Sequence, residues 1–356
     1  MSEHRLLLEE AFAKAELAFI KNESPAVVYG IDGLGDLIFA SSTQAYREVL
    51  LGCVLTRIID KTKDIQLPYA KLGKHAFNGR SLDEQVINPF LREKNAPCSR
   101  GPYLSVFRRS VAFTGATREG LKDKKGYDAL LTLIETVRNE SDNTVLKTIL
   151  AYLLYNFILL REESRVELTR LRRISLSQFR NLIASLVSKK SGGRFPVLLI
   201  VSMLEAFANR FSLNWRIQWQ GINVADAASG VGGDITVTEG TRTVIVVEVT
   251  ERPVDAATVR ATFSGKIAPS KIQEYMFMVH TDQAGTAARE QADKYFMQGY
   301  EVSFVDMWEW LTSTLATVGS EGRQYFQECL LRHLSDKAVP NTLKLMWNEE
   351  AERLVY

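Results

Sequence analysis

The stretch from Gly232 to Val249, GGDITVTEGTRTVIVVEV, decides the fold of this chain. It contains two runs of mostly β-branched residues, Asp234 to Thr238 and Thr243 to Val249. They are joined by Glu239-Gly240-Thr241-Arg242, a short polar segment with a glycine. Two such runs separated by a glycine-containing turn predict a β-hairpin.

Each strand of this predicted hairpin carries one carboxylate. Asp234 begins the first strand, Glu248 lies toward the end of the second, and thirteen residues separate them. Facing side chains on adjacent antiparallel strands lie roughly 5 Å apart, so the pair could hold one hard cation. Glu248 follows four apolar residues, and an ionised carboxylate in such surroundings is costly unless it is paired or bound to a metal. The alternative is a partly exposed strand end, with Glu248 facing solvent or paired with an arginine.

The sequence on either side of the hairpin predicts an α/β (α+β) protein. Upstream of about residue 190, apolar residues recur at helical spacing, and the polar segment Ser188 to Gly193 interrupts them as a linker or tight connection. Downstream, helices and short strands alternate. We therefore expect a helical N-terminal domain at 1–190, a mixed β-sheet core flanked by helices at 191–315, and C-terminal helices packed on that core at 316–356. The expected elements are helices at 127–139, 144–160, 168–187, 195–211, 255–263, 287–298 and 308–316, and further strands at 215–220, 275–280 and 302–305.

Composition is that of a globular protein, with 46% hydrophobic and 24% charged residues. Cys53, Cys98 and Cys329 are far apart and form no CxxC pair, so neither a disulfide framework nor a structural zinc site is expected. The N-terminus has no apolar core of a signal peptide, and the apolar run Ile149 to Leu160 is shorter than the roughly 20 residues of a bilayer span. We expect a cytoplasmic protein.

The net charge of +2 conceals a segregation of charge along the chain. Residues 92–125 contain nine basic residues against three acidic ones, and residues 165–194 contain eight basic residues against one. A concentrated basic surface indicates a polyanionic partner such as DNA. A solvated helix face rich in arginine is the alternative.

The hairpin and its surroundings resemble the PD-(D/E)XK nuclease family over residues 195 to about 312. In that family a helix with a glutamate precedes a mixed sheet, whose second and third strands supply two acids. The resemblance implies magnesium-dependent phosphodiester cleavage, with Asp234 and Glu248 as metal ligands and Glu205 as an accessory acid. Gly233 stands at the proline of the family motif.

The family motif also expects a lysine two residues after the second acid, where this chain has Thr250. A threonine cannot supply a cation. Either Lys266 or Arg252 reaches into the site, or the site is catalytically weakened. We expect Lys266 to take the catalytic role.

A second resemblance lies in the N-terminal half, where Asn78 to Glu84 and Pro97 to Leu104 are similar to the helical region of SacI-type restriction endonucleases. These segments are dense in residue types that contact bases and phosphates. A structural loop whose arginines pair with Asp83 and Glu84 is the alternative. The glycine-ending segment Asn223 to Gly230 could also lie near DNA. The expected DNA contacts are Arg80, Arg100, Tyr103, Arg108, Arg109 and Asp226.

Together the two resemblances imply a type II restriction endonuclease that cuts double-stranded DNA at a specific short sequence with Mg²⁺. Because one site cuts one strand, a homodimer is expected, with a separate methyltransferase protecting host DNA. The competing functions are a DNA-binding module that has lost its chemistry, and a non-specific or repair nuclease of the same fold.

Overall fold

The computed structural model describes residues 2–26, 30–107, 112–164, 166–219, 233–280 and 284–355. These residues form fourteen α-helices and one five-stranded sheet, so the expected α/β class is confirmed. The chain divides into two compact units, Met1–Arg165 and Val166–Tyr356.

The first unit is helical throughout its described residues. Its helix starts follow ordinary capping chemistry, since the side chain of Ser2 accepts the amide of Arg5 and that of Asp142 accepts the amide of Thr144. The helices are α1 (Glu3–Ile20), α2 (Asp32–Phe39), α3 (Ala45–Ile59), α4 (Gly79–Leu82), α5 (Asn88–Glu93), α6 (Lys124–Asn139) and α7 (Asn143–Glu162). A π-helical turn, Asp83–Ile87, joins α4 to α5.

Helix α3 is the centre of this unit. Every residue from Ala45 to Thr56 is buried, and the helix contacts α1, α6 and α7. The helices expected at 127–139 and 144–160 are both present and extend a few residues further at one or both ends. Helix α7 is long and apolar enough to cross a membrane by length and composition alone. Seven of its apolar side chains are buried in the core of the unit: Leu146, Ile149, Leu150, Leu153, Leu154, Phe157 and Ile158.

The second unit combines a sheet with seven helices in its described residues. They are α8 (Leu176–Ser188), α9 (Arg194–Arg210), α10 (Ala256–Thr262), α11 (Thr286–Phe296), α12 (Met307–Thr317), α13 (Gly319–Leu334) and α14 (Asn341–Val355). The strands are β1 (Trp215–Trp219), β2 (Ile235–Glu239), β3 (Arg242–Thr250), β4 (Glu274–Val279) and β5 (Glu301–Asp306).

The sheet is mixed, with strand order β1-β2-β3-β4-β5. The strands β1, β2 and β3 are antiparallel, whereas β3, β4 and β5 are parallel. Parallel neighbours need a crossover, and α10 and α11 supply the two crossovers. Their apolar residues, among them Val259, Ala288 and Ala292, share one core cluster with Val246, Tyr275 and Phe277 of the sheet.

The boundary between the two units lies between Arg165 and Val166. The sequence analysis placed it later in the chain, at the Ser188 to Gly193 segment. Helix α8 belongs to the second unit because it packs on α9, α12 and α14. It begins at Leu176, whose preceding Ser175 forms a capping box with Gln178, and not at residue 168. The segment itself is a tight connection in which buried Ser191 accepts the amide of Phe195.

Candidate active site

The register of the hairpin places the two predicted acids on the same face of the sheet. Ile235 pairs with Val247 across β2 and β3, so the preceding residue, Asp234, stands opposite the following one, Glu248. Residues directly opposite each other in an antiparallel pair project to the same side. On that side Glu248 is also adjacent to Tyr275, whose partner on β3 is Val246.

A β-bulge sets this register. Val237 pairs with Ile245, but Thr238 pairs with Thr243, so Val244 is the extra residue on β3. Had the pairing at the turn continued without a bulge, Glu248 would have faced Gly233. Because successive side chains alternate between faces, Glu248 and Asp234 would then have projected to opposite sides. The bulge is therefore the device that brings the two carboxylates together.

The carboxylate of Glu248 is held by two side chains. The ammonium of Lys266 lies 3.0 Å from Oε2 and 3.3 Å from Oε1, and the hydroxyl of Tyr275 donates to Oε2 at 2.8 Å. The side chain of Glu248 keeps 27% of its surface exposed. The sequence suggested full burial, which holds for Val246 and Val247 but not for the glutamate, because β3 ends two residues after it. Its cationic partner is a lysine, and not the arginine of the alternative.

Asp234 is fixed by the backbone of the opposite strand. Its Oδ2 accepts the amide of Val249 at 2.7 Å. A carboxylate that accepts a backbone N–H is oriented as well as stabilised in its charged form. The hydrogen bond ties Asp234 to the residue next to Glu248, so the spacing of the two carboxylates is fixed from both strands.

Gly233 packs so closely against β3 that a side chain would not fit there. A Cβ at this position would lie 2.8 Å from Cγ1 of Val246, 2.9 Å from the carbonyl oxygen of Val247 and 3.4 Å from Oε2 of Glu248. The contact with the backbone oxygen cannot be relieved by a rotamer change. Glycine at position 233 is thus required by the local packing.

Lys266 arrives from the crossover between β3 and β4. Helix α10 ends in a π-helical turn, Phe263–Ile267, in which Ile267 is buried while Lys266 projects to Glu248. Such π-helical turns often lie at functional sites. The second candidate is Arg252, whose hydrogen bonds in the described structure are made by its backbone. Its N–H donates to the hydroxyl of Thr250, and its carbonyl oxygen accepts from the same hydroxyl. The structure therefore brings Lys266 to the acid pair and leaves Arg252 apart.

Tyr275 is a site residue that the sequence analysis missed. Burial raises the pKa of its phenol far above the ordinary value, and the charge of Glu248 and the bond to it raise it further. The charge of Asp234 acts in the same direction. The hydroxyl stays protonated and remains a donor to Glu248. The signal was present, because Tyr275 is the lone hydroxyl-bearing residue of the apolar strand YMFMV.

The donor set suits a hard cation only in part. Among the residues that the structure describes, no group of three or more His, Cys, Asp and Glu side chains could hold a metal ion. Two carboxylates are nonetheless what Mg²⁺ takes from proteins that act on phosphates, since water and substrate oxygens complete its octahedron. Asp234 and Glu248 fit that pattern.

Glu205 lies on α9, where its carboxylate is engaged by α13. Its Oε2 accepts from Nε2 of His333 at 2.9 Å and from Arg332 at 2.6 Å. Burial opposes ionisation, but the bond and charge of His333, with further help from Arg332, lower the pKa of Glu205. The accessory catalytic role of Glu205 stays a prediction.

The expected DNA contacts have different surroundings. Arg80 is exposed and pairs with Glu84 at 2.9 Å, as the structural alternative supposed. Arg100 is exposed at the tip of a loop. Tyr103 is completely buried, so it is wrong as a DNA contact, because its ring fills the core of the first unit. The remaining three candidates, Arg108, Arg109 and Asp226, lie outside the described residues.

The basic run at 165–194 is partly neutralised. Lys189 pairs with Glu349 and Glu350, both at 2.8 Å. Arg172 and Arg173 are exposed and, with Arg323, line a cleft of about 570 Å³ in the second unit. Part of this run therefore forms a basic surface, and part serves the packing of α14.

Comparison with known protein families gives two matches, which together cover most of the chain. The model of the SacI restriction endonuclease N-terminal domain matches residues 5–157, and that of the SacI restriction endonuclease C-terminal domain matches residues 173–293. The second match contains Asp234, Glu248 and Lys266. A comparison with curated proteins gave no match. The chain, with its helical first unit and its sheet-based second unit in the order of the two family domains, belongs to the SacI restriction endonuclease family.

Proposed function

We propose that this protein is a type II restriction endonuclease that uses Mg²⁺ to hydrolyse phosphodiester bonds of double-stranded DNA at a specific short sequence. The observation that supports this most is the pairing of Asp234 and Glu248 on one face of the sheet, with the ammonium of Lys266 3.0 Å from Glu248. Membership of the SacI family supports the same reaction.

The chemistry of the two carboxylates suits Mg²⁺ as the cofactor. Both are oxygen donors, Glu248 is partly exposed, and the hairpin fixes their separation. When bound, the cation would stabilise the negative charge that builds up on the scissile phosphate. Glu248 and Asp234 would hold it, and their backbone and side-chain hydrogen bonds would keep both carboxylates oriented before DNA arrives.

Lys266 would serve the role that the family motif assigns to a lysine on the strand. Its ammonium lies beside Glu248 and keeps 38% of its side-chain surface exposed, so it can reach a water molecule or a phosphate oxygen. A preorganised cation at the reacting phosphate is among the largest contributions that a protein makes to such a reaction. Tyr275 would orient Glu248 without contacting the substrate.

The direct test is digestion of unmethylated plasmid DNA with Asp234→Asn and Glu248→Gln. The metal contributes several kcal/mol to the transition state, so each variant should lose at least ~10³-fold in cleavage rate. Omitting Mg²⁺ or adding EDTA should abolish cutting by the wild type. Gel electrophoresis of the digestion products measures all three effects.

Glu251→Gln is the matched control, because Glu251 is an exposed carboxylate three residues after Glu248. It should cut like the wild type. Retained cutting by Asp234→Asn would remove the catalytic assignment, and cutting in EDTA would remove the metal. Loss of cutting in all variants together with loss of the thermal unfolding transition would indicate a folding defect instead.

Two other functions lead to different results in the same digestion. A DNA-binding module that has lost its chemistry would leave the plasmid intact at every metal concentration while still shifting it on a gel. The ion pair of Lys266 and Glu248 argues against it, since a cation stands where the chemistry needs one. A non-specific or repair nuclease would give a smear in place of discrete fragments.

The proposal includes partners. Cutting both strands of a duplex calls for two sites, so we propose a homodimer, which light scattering of the DNA complex would measure. A monomer on a two-strand cutting site would exclude it. We also propose a separate methyltransferase that protects the host DNA. The cytoplasm is the proposed compartment, in keeping with three cysteines that are all free thiols.

A further inference from the structure

A loop of the first unit, Ser99–Tyr103, is bound at both ends by carboxylates that have no exposed surface. Oε1 of Glu48 on α3 accepts the amide of Ser99 at 2.6 Å, and Oδ2 of Asp83 in the π-helical turn accepts the amide of Tyr103 at 2.7 Å. Both side chains are 0% exposed. Within the described residues, the second oxygen of each carboxylate has no hydrogen-bond partner.

The carbonyl groups of the same loop are bound from α5. The side-chain amide of Asn88 donates to the carbonyl oxygen of Ser99 at 2.9 Å. The guanidinium of Arg92 donates to the carbonyl oxygens of Ser99 and Arg100 at 3.3 and 3.0 Å, and is itself held by Oδ1 of Asn88 at 2.7 Å. These hydrogen bonds therefore fix the backbone on either side of Arg100, while the side chain of Arg100 is exposed.

Tyr103 anchors the loop in the core. Its hydroxyl packs against two glycines, at each of which a Cβ would lie close to it: 3.0 Å at Gly52 and 3.1 Å at Gly79. Neither glycine has a positive φ, so close packing and not backbone conformation is the constraint on both. The aromatic residue that the sequence suggested as a DNA contact instead fixes where the loop leaves the protein surface.

This arrangement costs stability. Burial raises the pKa of Glu48 to about 7 and that of Asp83 to about 6. The charge of Asp83 adds to the rise at Glu48, whereas the bonds from Ser99 and the charge of Arg47 oppose it. Apolar side chains in the same places would avoid the cost of burying two acids. Local features that oppose stability are expected where geometry serves function, and here both acids bind the backbone of one exposed loop.

We propose that Glu48 and Asp83 are positioning residues that preorganise the Ser99–Tyr103 loop so that Arg100 contacts a base edge of the DNA recognition site. The inference rests on the proposed function, because it assumes a specific DNA sequence. A loop fixed before binding loses less conformational entropy on association, which raises affinity without a new contact. Arginine is suited to the role because its planar fork of donors matches base edges.

A double-mutant cycle on DNA binding tests this. Fluorescence anisotropy in EDTA would compare a duplex containing the sequence that the wild type cuts with a scrambled duplex of equal length. Arg100→Ala should weaken binding to the first duplex ~10–100-fold, as expected for loss of one base contact, and leave binding to the second unchanged. Asp83→Ala and Glu48→Ala should do the same to a smaller degree.

The decisive result is the combination with Arg100→Ala. If the carboxylates act through Arg100, then Glu48→Ala/Arg100→Ala should bind no more weakly than Arg100→Ala alone. Additive losses would overturn the proposal, since they would mean that the carboxylates act elsewhere. Val137→Ala is the control, because it makes a cavity at a buried position of α6. If it lowers the melting temperature as much as the carboxylate variants do, it should still leave the preference between the two duplexes unchanged.

Two further outcomes keep this inference separate from the proposed function. Where Glu48→Ala does not fold, Asp83→Ala takes its place in the cycle. Glu48→Gln and Asp83→Asn are the conservative variants: an amide oxygen still accepts the backbone N–H, so binding should stay within about twofold of wild type. A wild type that binds the two duplexes equally overturns the inference even if it cuts DNA. A wild type that cuts specifically, with an additive cycle, overturns the inference alone.

Discussion

The protein contains two pairs of carboxylates that share the same residue types and differ in their surroundings. Asp234 with Glu248 in the second unit, and Asp83 with Glu48 in the first, each join an aspartate to a glutamate, and three of the four accept a backbone amide. The second-unit pair is partly exposed and has Lys266 beside it, whereas the first-unit pair is fully buried and has no lysine within salt-bridge distance in the described residues.

The difference shows how surroundings assign work to the same residue types. An exposed carboxylate with a cation nearby can exchange its partners, so it can take up a metal ion and release it again. A buried carboxylate that holds a backbone N–H has no such freedom, and it can only fix a conformation. The first kind of pair predicts a site of reaction, and the second kind predicts a site of positioning.

Insertion of one valine between Ile245 and Val246 should have the largest effect, because it shifts the pairing of β3 by one residue beyond the bulge. With the turn and the bulge retained, Glu248 would face Gly233 and project away from Asp234. Cleavage should fall by ~10³-fold or more, the loss expected when the metal site is destroyed. A plasmid digestion with purified protein measures it, and circular dichroism checks that the sheet persists.

Removing one residue should reverse this loss. Deleting Val244 from the insertion variant restores the number of residues between the turn and Glu248, so the wild-type pairing with one bulged residue on β3 is restored. Cutting should return at least in part. If the insertion alone cuts normally, or if the deletion fails to restore cutting in a folded protein, the register does not control the site.

The next largest effect concerns Lys266, whose ammonium distinguishes the two carboxylate pairs. Lys266→Ala should lower the cleavage rate by ~10²–10³-fold, comparable to the loss of one preorganised electrostatic contact. Single-turnover rates at saturating Mg²⁺ measure it. Arg252→Ala is the matched control, since it removes a nearby exposed cation whose recorded bonds are those of its backbone.

A lysine at position 250, where the PD-(D/E)XK motif has one, should rescue this variant. Thr250 lies two residues beyond Glu248 on β3 and so projects to the same face. Thr250→Lys combined with Lys266→Ala should recover a measurable part of the rate. Equal activity of Lys266→Ala and wild type would show that the chemistry needs no lysine at this place.

The sequence was a good guide to the sheet and to its two acids. Alternating β-branched runs and one glycine turn were enough for the hairpin, because such local patterns depend on near neighbours only. The bulge was also within reach. Glu239 and Arg242 pair across a two-residue turn, so directly opposed residues differ by an odd number, whereas Asp234 and Glu248 differ by fourteen. An extra residue on one strand was therefore required for them to meet.

Contacts between segments that are distant in the sequence could not be predicted. Lys266 was one of two candidates, because nothing local fixes where a crossover helix turns into a π-helical turn. The sequence did not indicate the buried pair, since α3 and the π-helical turn meet only through packing, and Asp83 entered only the alternative interpretation, as a partner of loop arginines. Tyr103 was misassigned for the same reason. Aromatic and acidic residues in a polar loop look exposed until their anchoring contacts are known.

The buried pair should also be visible in the pH dependence of stability. The pKa of Glu48 is raised to about 7 and that of Asp83 to about 6, so the folded protein holds protons that the unfolded chain has released. Their contribution is present at low pH and is lost as pH rises from about 4 through 7. The free energy of unfolding should fall across this window by roughly 5 kcal/mol.

Denaturant titrations between pH 5 and pH 8 would measure this slope. Glu48→Gln/Asp83→Asn should flatten it, because neither replacement titrates. Glu135→Gln is the control for the loss of a carboxylate, since Glu135 is exposed on α6. An unchanged slope in the double variant would mean that neither acid is buried in solution as described.

The smallest effect is expected for Tyr275→Phe, which removes one hydrogen bond and leaves the ring in its core. The phenol donates to Glu248 at 2.8 Å but stands behind it, buried from solvent. One such bond to a charged group is worth about 1.5–3 kcal/mol when both partners are buried, and less here, because Glu248 is partly exposed and keeps Lys266. The variant should need about three- to tenfold more Mg²⁺ for half-maximal cleavage, with an unchanged rate at saturation.

A lower saturating rate with the same Mg²⁺ requirement would instead make Tyr275 part of the reaction itself. The two carboxylate pairs would then differ further, because the tyrosine beside Glu248 would act in chemistry while Tyr103 only anchors a loop.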